Sequence, residues 1–163
     1  PTETDESPLK GETPRRLAAR LADAKADAAA AAAPDTIVLA ADTVVGVGRR
    51  VLPKAETPDD ARRCLALLSG RRHRVFTGVV LALPGGRRLR RLVDTQVVFQ
   101  RLTQQQVDAY LASGEWQGKA GGYAIQGRAA AFVRFLSGSH SNVGGLPLFE
   151  TAQLLRGVGW LVP

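Results

Sequence analysis

The apolar positions of this 163-residue chain fall into short blocks whose period changes along its length. Residues 15–33 carry Leu17, Leu21, Ala24 and Ala28 at helical spacing in an Ala-rich run closed by Pro34, which predicts a first helix. Residues 36–41 form a short apolar run of β character, followed by Asp42-Thr43 and Val44-Val45. Gly46 and Gly48, with Arg49-Arg50, predict a hairpin turn. Thr57-Pro58-Asp59-Asp60 opens a second helix with a cap, a first-turn proline and first-turn acids, and Gly70 stops it. Strands are predicted over 75–83 and 88–100, separated by Pro84-Gly85-Gly86. Thr103 and Gln106 form a capping box for a helix through Tyr110 and Leu111 that Gly114 closes. Beyond a Gly-rich stretch at 118–128 come a strand over 130–136, a Ser/Gly loop over 137–145 and a last helix over 147–155. Strands and helices mix and one pair reads as an antiparallel hairpin, so the pattern predicts one α/β domain over 1–163.

Composition narrows the picture. With 45% hydrophobic and 23% charged residues the chain resembles neither a disordered tail nor a fibrous protein, and no apolar run reaches the ~20 residues of a spanning helix. The net charge is +7, carried by 18 Arg and only 4 Lys. A single Cys64 forms no internal disulfide and no cysteine zinc site, which fits a reducing, cytoplasmic address. The chain contains no Met and starts at Pro1, and residues 1–16 hold no apolar signal segment, so a fragment or a processed chain is expected.

Five places could carry chemistry. Asp42, after an apolar strand, stands where α/β sheets place ligands and could activate water or hold a metal, although an Asp opening a turn is the plainer reading of spacing alone. Lys is rare here, so Lys25, Lys54 and Lys119 are candidate phosphate contacts, against the usual solvated lysine. Gly118–Gly127 is no P-loop, because Ala120 stands where Ser or Thr is required; its Gln126 could bond a base edge through both donor and acceptor. Ser137–Gly145 mixes Ser with His140 but lacks a nucleophile elbow, and His73, before a strand, reads as a boundary residue or phosphate contact. The arginine clusters 71–74 and 87–91 lack the interleaved aromatics of a single-strand binder and read as a solvated basic surface.

Taken in order, Ala-Asp-Thr-Val-Val (41–45), Leu-Pro-Lys-Ala (52–55), Leu-Ser-Gly-Arg-x-His-x-Val (68–75), Ser-Gly-Glu-x-x-x-Lys-Ala-Gly-x-Tyr-Ala-Ile-Gln-Gly (113–127) and Gly-Leu-Pro-Leu-x-Glu (145–150) resemble the Maf family of nucleoside triphosphate pyrophosphatases, first named as septum-formation inhibitors. The resemblance runs from about Asp5 to the end. It implies an inosine-triphosphatase-like fold, a mixed twisted sheet with flanking helices in two lobes around a cleft. It also implies hydrolysis of the α–β phosphoanhydride with a divalent cation (magnesium, manganese or cobalt), in a house-cleaning role. By the same resemblance Asp42 is the base for water, Lys25 and Lys54 contact phosphates, and Glu6 and Asp42 lie at the metal. Thr43 and Gln126 match positions that favour the dTTP/UTP subgroup. A nucleoside triphosphate as substrate and a homodimer are implied, with neither membrane nor nucleic acid as partner. The competing reading is a non-catalytic, nucleotide- or protein-binding regulator of division.

The chain departs from that pattern in places. The family's opening strand and Gly-Ser-x-Ser-Pro-Arg-Arg phosphate loop are missing, so the chain as it stands is expected to be impaired. Pro14-Arg15-Arg16 imitates the end of that loop but lies downstream of Glu6, and reads as a decoy. Pro53 and Ala55 flank Lys54 where Glu and Pro are frequent, Gly144 replaces a usual Val, and His140 a common Tyr.

Overall fold

The structure is a computed structural model that describes residues 4–162. Thr13 begins helix α1 (Pro14–Ala32): its hydroxyl accepts from the Arg16 amide, and Pro14 supplies a preset φ at the first position. The inward stripe is Leu17, Ala18, Leu21, Ala22 and Ala26; it follows the 3.6-residue turn and so passes through Ala22 and Ala26 where Ala24 and Ala28 were expected. Lys25 falls within this stripe, between Leu21 and Ala26.

Strand β1 (Val38–Val47) folds back through Gly48 onto the short β2 (Arg50–Leu52). Helix α2 (Pro58–Leu68) starts on a full capping box made by Thr57 and Asp60. Strands β3 (Arg72–Ala82) and β4 (Arg88–Phe99) form a long hairpin. Helix α3 (Gln104–Ser113) carries the expected Thr103–Gln106 capping box and ends on left-handed Gly114. Where a strand over 130–136 was expected, a 3-10 turn (Arg128–Phe132) leads into β5 (Val133–Ser137). Within the expected loop, Ser139 caps a one-turn helix α4 (His140–Val143); α5 (Leu148–Gly157) follows.

The sheet order is β2-β1-β3-β4-β5, and all four pairings among the described residues are antiparallel. The α/β class stands, but the sheet seen here is antiparallel where a mixed one was expected. Two of its pairings are closed by tight turns, which permit only that orientation. A second difference concerns Asp42. It lies in the middle of β1, opposite Gly78, and not at a strand end, because the pairing with β3 continues from Val38 through Gly46.

Alternation divides the core into two sides. Ala40, Val44, Phe76, Val80 and Ala82 face α1. On the other face Val45, Val75, Val97 and Phe99 pack with Cys64, Leu65 and Leu68 of α2, Tyr110 of α3, and Trp116, Tyr123 and Ile125. Arginines of the basic clusters brace α1 across β4: Arg88 meets Asp27, Arg90 meets Asp23, and Arg15 and Arg74 share Asp94. Arg15 also lies over the Phe76 ring.

The sheet lies very close to α1. A Cβ on Gly78 would stand 2.7 Å from the Ala18 carbonyl oxygen and 2.9 Å from Ala22 Cβ. Both are fixed parts of a helix that cannot turn aside. Gly78→Ala should therefore destabilise the fold by about 1–3 kcal/mol in chemical denaturation. Gly157→Ala, at a helical site with open space around it, should stabilise by up to ~1 kcal/mol.

Candidate functional site

Strand β1 organises the site. β2 pairs only with Val45–Val47, so among the described residues the stretch from Val38 to Val44 has no strand neighbour on that side. Successive side chains there point to opposite faces of the sheet, and a ligand lying along the edge can meet both.

On the α1 face is Asp42, 6% exposed. Lys25 of α1 donates to Asp42 Oδ1 and also reaches Glu6 Oε1 at 2.8 Å; Lys54 Nζ meets Glu6 Oε2 at 2.7 Å. Four groups thus form a chain of alternating charge, Asp42–Lys25–Glu6–Lys54. Each has a local cause. Lys25 comes inward with the stripe of α1. Glu6 belongs to an arm tied to α1 by Arg20, which bonds the Ser7 carbonyl and the Glu12 carboxylate. Lys54 sits where residues 53–55 zip to the Gly-rich segment: Gly118 N donates to Ala55 O, Ala55 N to Lys119 O, and Gly121 N to Pro53 O.

Burial pushes the Asp42 carboxyl above its usual range, and the Lys25 bond only partly opposes this. Burial also works against the charged form of Lys25, but bonds to Asp42 and Glu6 outweigh it and hold the ammonium above its ordinary value. At Glu6 burial acts upward, yet the two lysines win and the carboxyl is held low. Lys25 is therefore a persistent cation between two carboxylates.

On the other face Thr43 Oγ1 bonds Thr77 Oγ1 at 2.8 Å and approaches the Gly145 carbonyl at 3.4 Å. Buried Asn142 ties this region down, donating to Val75 O and Thr95 Oγ1. The cleft beside it, about 530 Å³, is lined by Lys25, Asp42, Thr43 and Lys54 on one wall and Lys119, Tyr123 and Gln126 on the other. A second hollow of about 470 Å³ continues along β1 past Asp42 to Glu6 and Ser7.

All six residues singled out from the sequence thus converge on one continuous cleft: Glu6, Lys25, Asp42, Thr43, Lys54 and Gln126. Lys119 joins them, a lysine marked only by the rarity of Lys. His73 does not. It is a core residue, with Nε2 2.6 Å from Tyr123 Oη and its ring against Phe99, and neither a boundary residue nor a phosphate contact. It was misread because alternation turns position 73 into the larger core. Ser139 caps α4 with its hydroxyl, which removes it from any nucleophile role.

Two carboxylates held by one ammonium suit a hard divalent cation, which commonly takes one or two carboxylates and fills its remaining positions with water and phosphate oxygen. Among the described residues no cluster of three or more His, Cys, Asp or Glu offers a fuller cage. No helix among the described residues is long and apolar enough to cross a membrane.

Comparison with known proteins places the chain among relatives. A family model described as "Maf-like protein" matches residues 1–158. The chain is 63% identical to a protein of Granulibacter bethesdensis named dTTP/UTP pyrophosphatase, with 98% of this chain and 81% of the relative covered. It is 61% identical to a protein of the same name from Novosphingobium aromaticivorans (97% and 79% covered) and 58% identical to one from Caulobacter vibrioides (98% and 83% covered).

The buried imidazole gives the fold a pH dependence. Burial lowers the His73 pKa from 6.5 to about 4, and Nδ1 has no partner among the described residues. Between these values the unfolded chain binds a proton that the folded one does not, so this contribution to stability is complete above pH 6.5 and is lost as pH falls towards 4. The loss at the low end should be about 3 kcal/mol. Denaturation across pH 4–7 should show this slope in the wild type and lose it in His73→Gln.

Proposed function

The chain belongs to the Maf family, and from that premise we propose that it is a nucleoside triphosphate pyrophosphatase acting on dTTP and UTP. The observation that carries the reading is the Asp42–Lys25–Glu6–Lys54 chain at β1, beside a cleft lined by Thr43 and Gln126. In the cleft beside Thr43, Lys25, Lys54 and Lys119 stand with Asp42 as the one carboxylate of the lining, an excess of positive charge for a polyphosphate.

The substrate lies along the edge, with its phosphates on the Asp42 side and its base towards Thr43 and Gln126. Lys25, Lys54 and Lys119 bind phosphate oxygens and stabilise the charge that moves onto the leaving pyrophosphate. Asp42 orients a water and takes its proton as the water oxygen bonds to the α-phosphorus. The bond from the α-phosphorus to the bridging oxygen breaks, releasing a nucleoside monophosphate and pyrophosphate. Lys25 keeps the Asp42 carboxylate aimed along the edge. Glu6 and Asp42 are the residues that would hold a divalent cation, which supplies charge neutralisation to the phosphates when bound. Cytoplasmic residence accords with the lone, buried, unpaired Cys64, and a homodimer accords with the family.

Pyrophosphate release from dTTP and UTP in magnesium or manganese tests the reading. Asp42→Asn should lower kcat by about 10²–10⁴-fold, the range for loss of a positioned base, with the fold retained by circular dichroism. Unchanged turnover would remove Asp42 from the chemistry. Chelation of divalent ions should abolish release and added magnesium should restore it. Turnover that persists under chelation would exclude the proposed role of Glu6 as a cation ligand.

A further inference from the structure

A second concentration of charge lies outside the cleft, on the sheet face that α1 packs against. Register lays it out: Arg74 of β3 stands opposite Gln96 of β4, and Gln96 opposite Ser137 of β5. Side chains paired across neighbouring strands lie about 5 Å apart on one face, so these three form a polar row. Asp94 stands in the next row of the same face, opposite Phe76. Arg15 reaches it from the first turn of α1: Arg15 Nη2 lies 2.6 Å from Asp94 Oδ2, and Arg74 Nη1 lies 2.8 Å from Oδ1. With Leu92 these residues line a hollow of about 500 Å³ that shares no lining residue with the cleft. Along α1, Arg15 and Lys25 are separated by about 15 Å of helix.

Charge sets this place apart from the other arginine pairs. Arg88 and Arg90 each meet an acid of their own, Asp27 and Asp23, whereas here two guanidinium groups share one carboxylate, the only one in the lining. One positive charge is left over, and both arginine side chains are about half exposed. The helix end adds to it. A helix start favours acids, yet the first turn of α1 holds none and carries Arg15 and Arg16. Such a departure from local preference is expected where a site needs the charge. Donors stand uncommitted as well: the Gln96 amide and the Ser137 hydroxyl have no partner among the described residues.

We propose that this hollow binds a phosphate group, held by Arg15 and Arg74 with Gln96 and Ser137 as further donors. Asp94 shows that both guanidinium groups can converge on one oxyanion, and a phosphate takes the N–H groups that Asp94 leaves free. The guanidinium fork is laid out to meet two oxygens of a phosphate at once. Leu92 is the one apolar side chain of the lining, and the Phe76 ring is covered by Arg15, so a base finds no surface to stack on. The group recognised is therefore the phosphate itself, free or carried on a nucleotide.

The test is an amide NMR titration of the full chain with inorganic phosphate, pyrophosphate and UMP, at an ionic strength held fixed with chloride. The amides of Asp94, Gln96, Ser137 and Gly138 should shift and saturate with phosphate and with pyrophosphate. UMP should bind here no more tightly than phosphate; an affinity about tenfold higher, the worth of a stacked base, would overturn recognition of the phosphate alone. Arg74→Gln should weaken phosphate by about tenfold or more, the value of a charge-assisted bond. Ser137→Ala leaves both ion pairs in place and should weaken it by about two- to tenfold. Asp94→Asn should tighten binding, because it removes the internal competitor, whereas loss of a merely bracing acid would not. Lys54→Ala, in the cleft, should leave these shifts unchanged. The proposal is overturned by shifts that grow without saturating, by an unaltered affinity in Arg74→Gln or Ser137→Ala, by a folded Asp94→Asn that binds no tighter, or by loss of the shifts in Lys54→Ala. Should Arg74→Gln or Asp94→Asn fail to fold, Ser137→Ala decides.

Discussion

A lysine ammonium between two carboxylates is the interaction on which this molecule turns. Asp42 is buried against α1, where a lone charge would be expelled or neutralised. Lys25 is the partner that makes the carboxylate tolerable, and it reaches there only because α1 lies almost on the sheet. That closeness depends on the Ala18–Ala22 surface of α1 and on Gly78, the residue opposite Asp42 in the register. Backbone packing, charge compensation and the proposed chemistry thus share one small volume.

The pleat of β1 explains how one strand reaches two walls of the cleft. Consecutive residues of a strand face opposite ways, so Asp42 joins the lysines while Thr43 joins the wall that carries Gln126. The proposed phosphate and base ends of the site are separated by the pleat. The Gly-rich segment is zipped to residues 53–55, which fixes Lys54 and brings Lys119 and Gln126 over the same edge. Glycine is required there for close approach: Gly121 lies against Val45 and Gly122 against Cys64, both with positive φ.

Charge is used in two ways. Four arginines, Arg15, Arg74, Arg88 and Arg90, pair with acids along the outside of α1 and β4, where exposed pairs each contribute little but together hold the helix in place. Three of the four lysines line the cleft, where a compact charge suits a phosphate oxygen. The basic net charge of the chain is therefore largely structural surface, and its functional share is small.

Local order was legible in the sequence because its causes are local. Thr57 and Thr103 cap their helices within three residues, Gly114 closes α3, and the β3–β4 hairpin follows from its Gly-rich turn. The family resemblance also named Glu6, Lys25, Asp42, Thr43, Lys54 and Gln126, since residue type and order survive without coordinates. What only the tertiary structure decided depends on partners far away in sequence. The antiparallel register carried β1 past Asp42, the core took His73 inward, and Ser139 became a cap. Above all, the meeting of Gly144 with Gln126 brings together two loops 18 residues apart, and no local pattern encodes which end of an amide a distant carbonyl will hold.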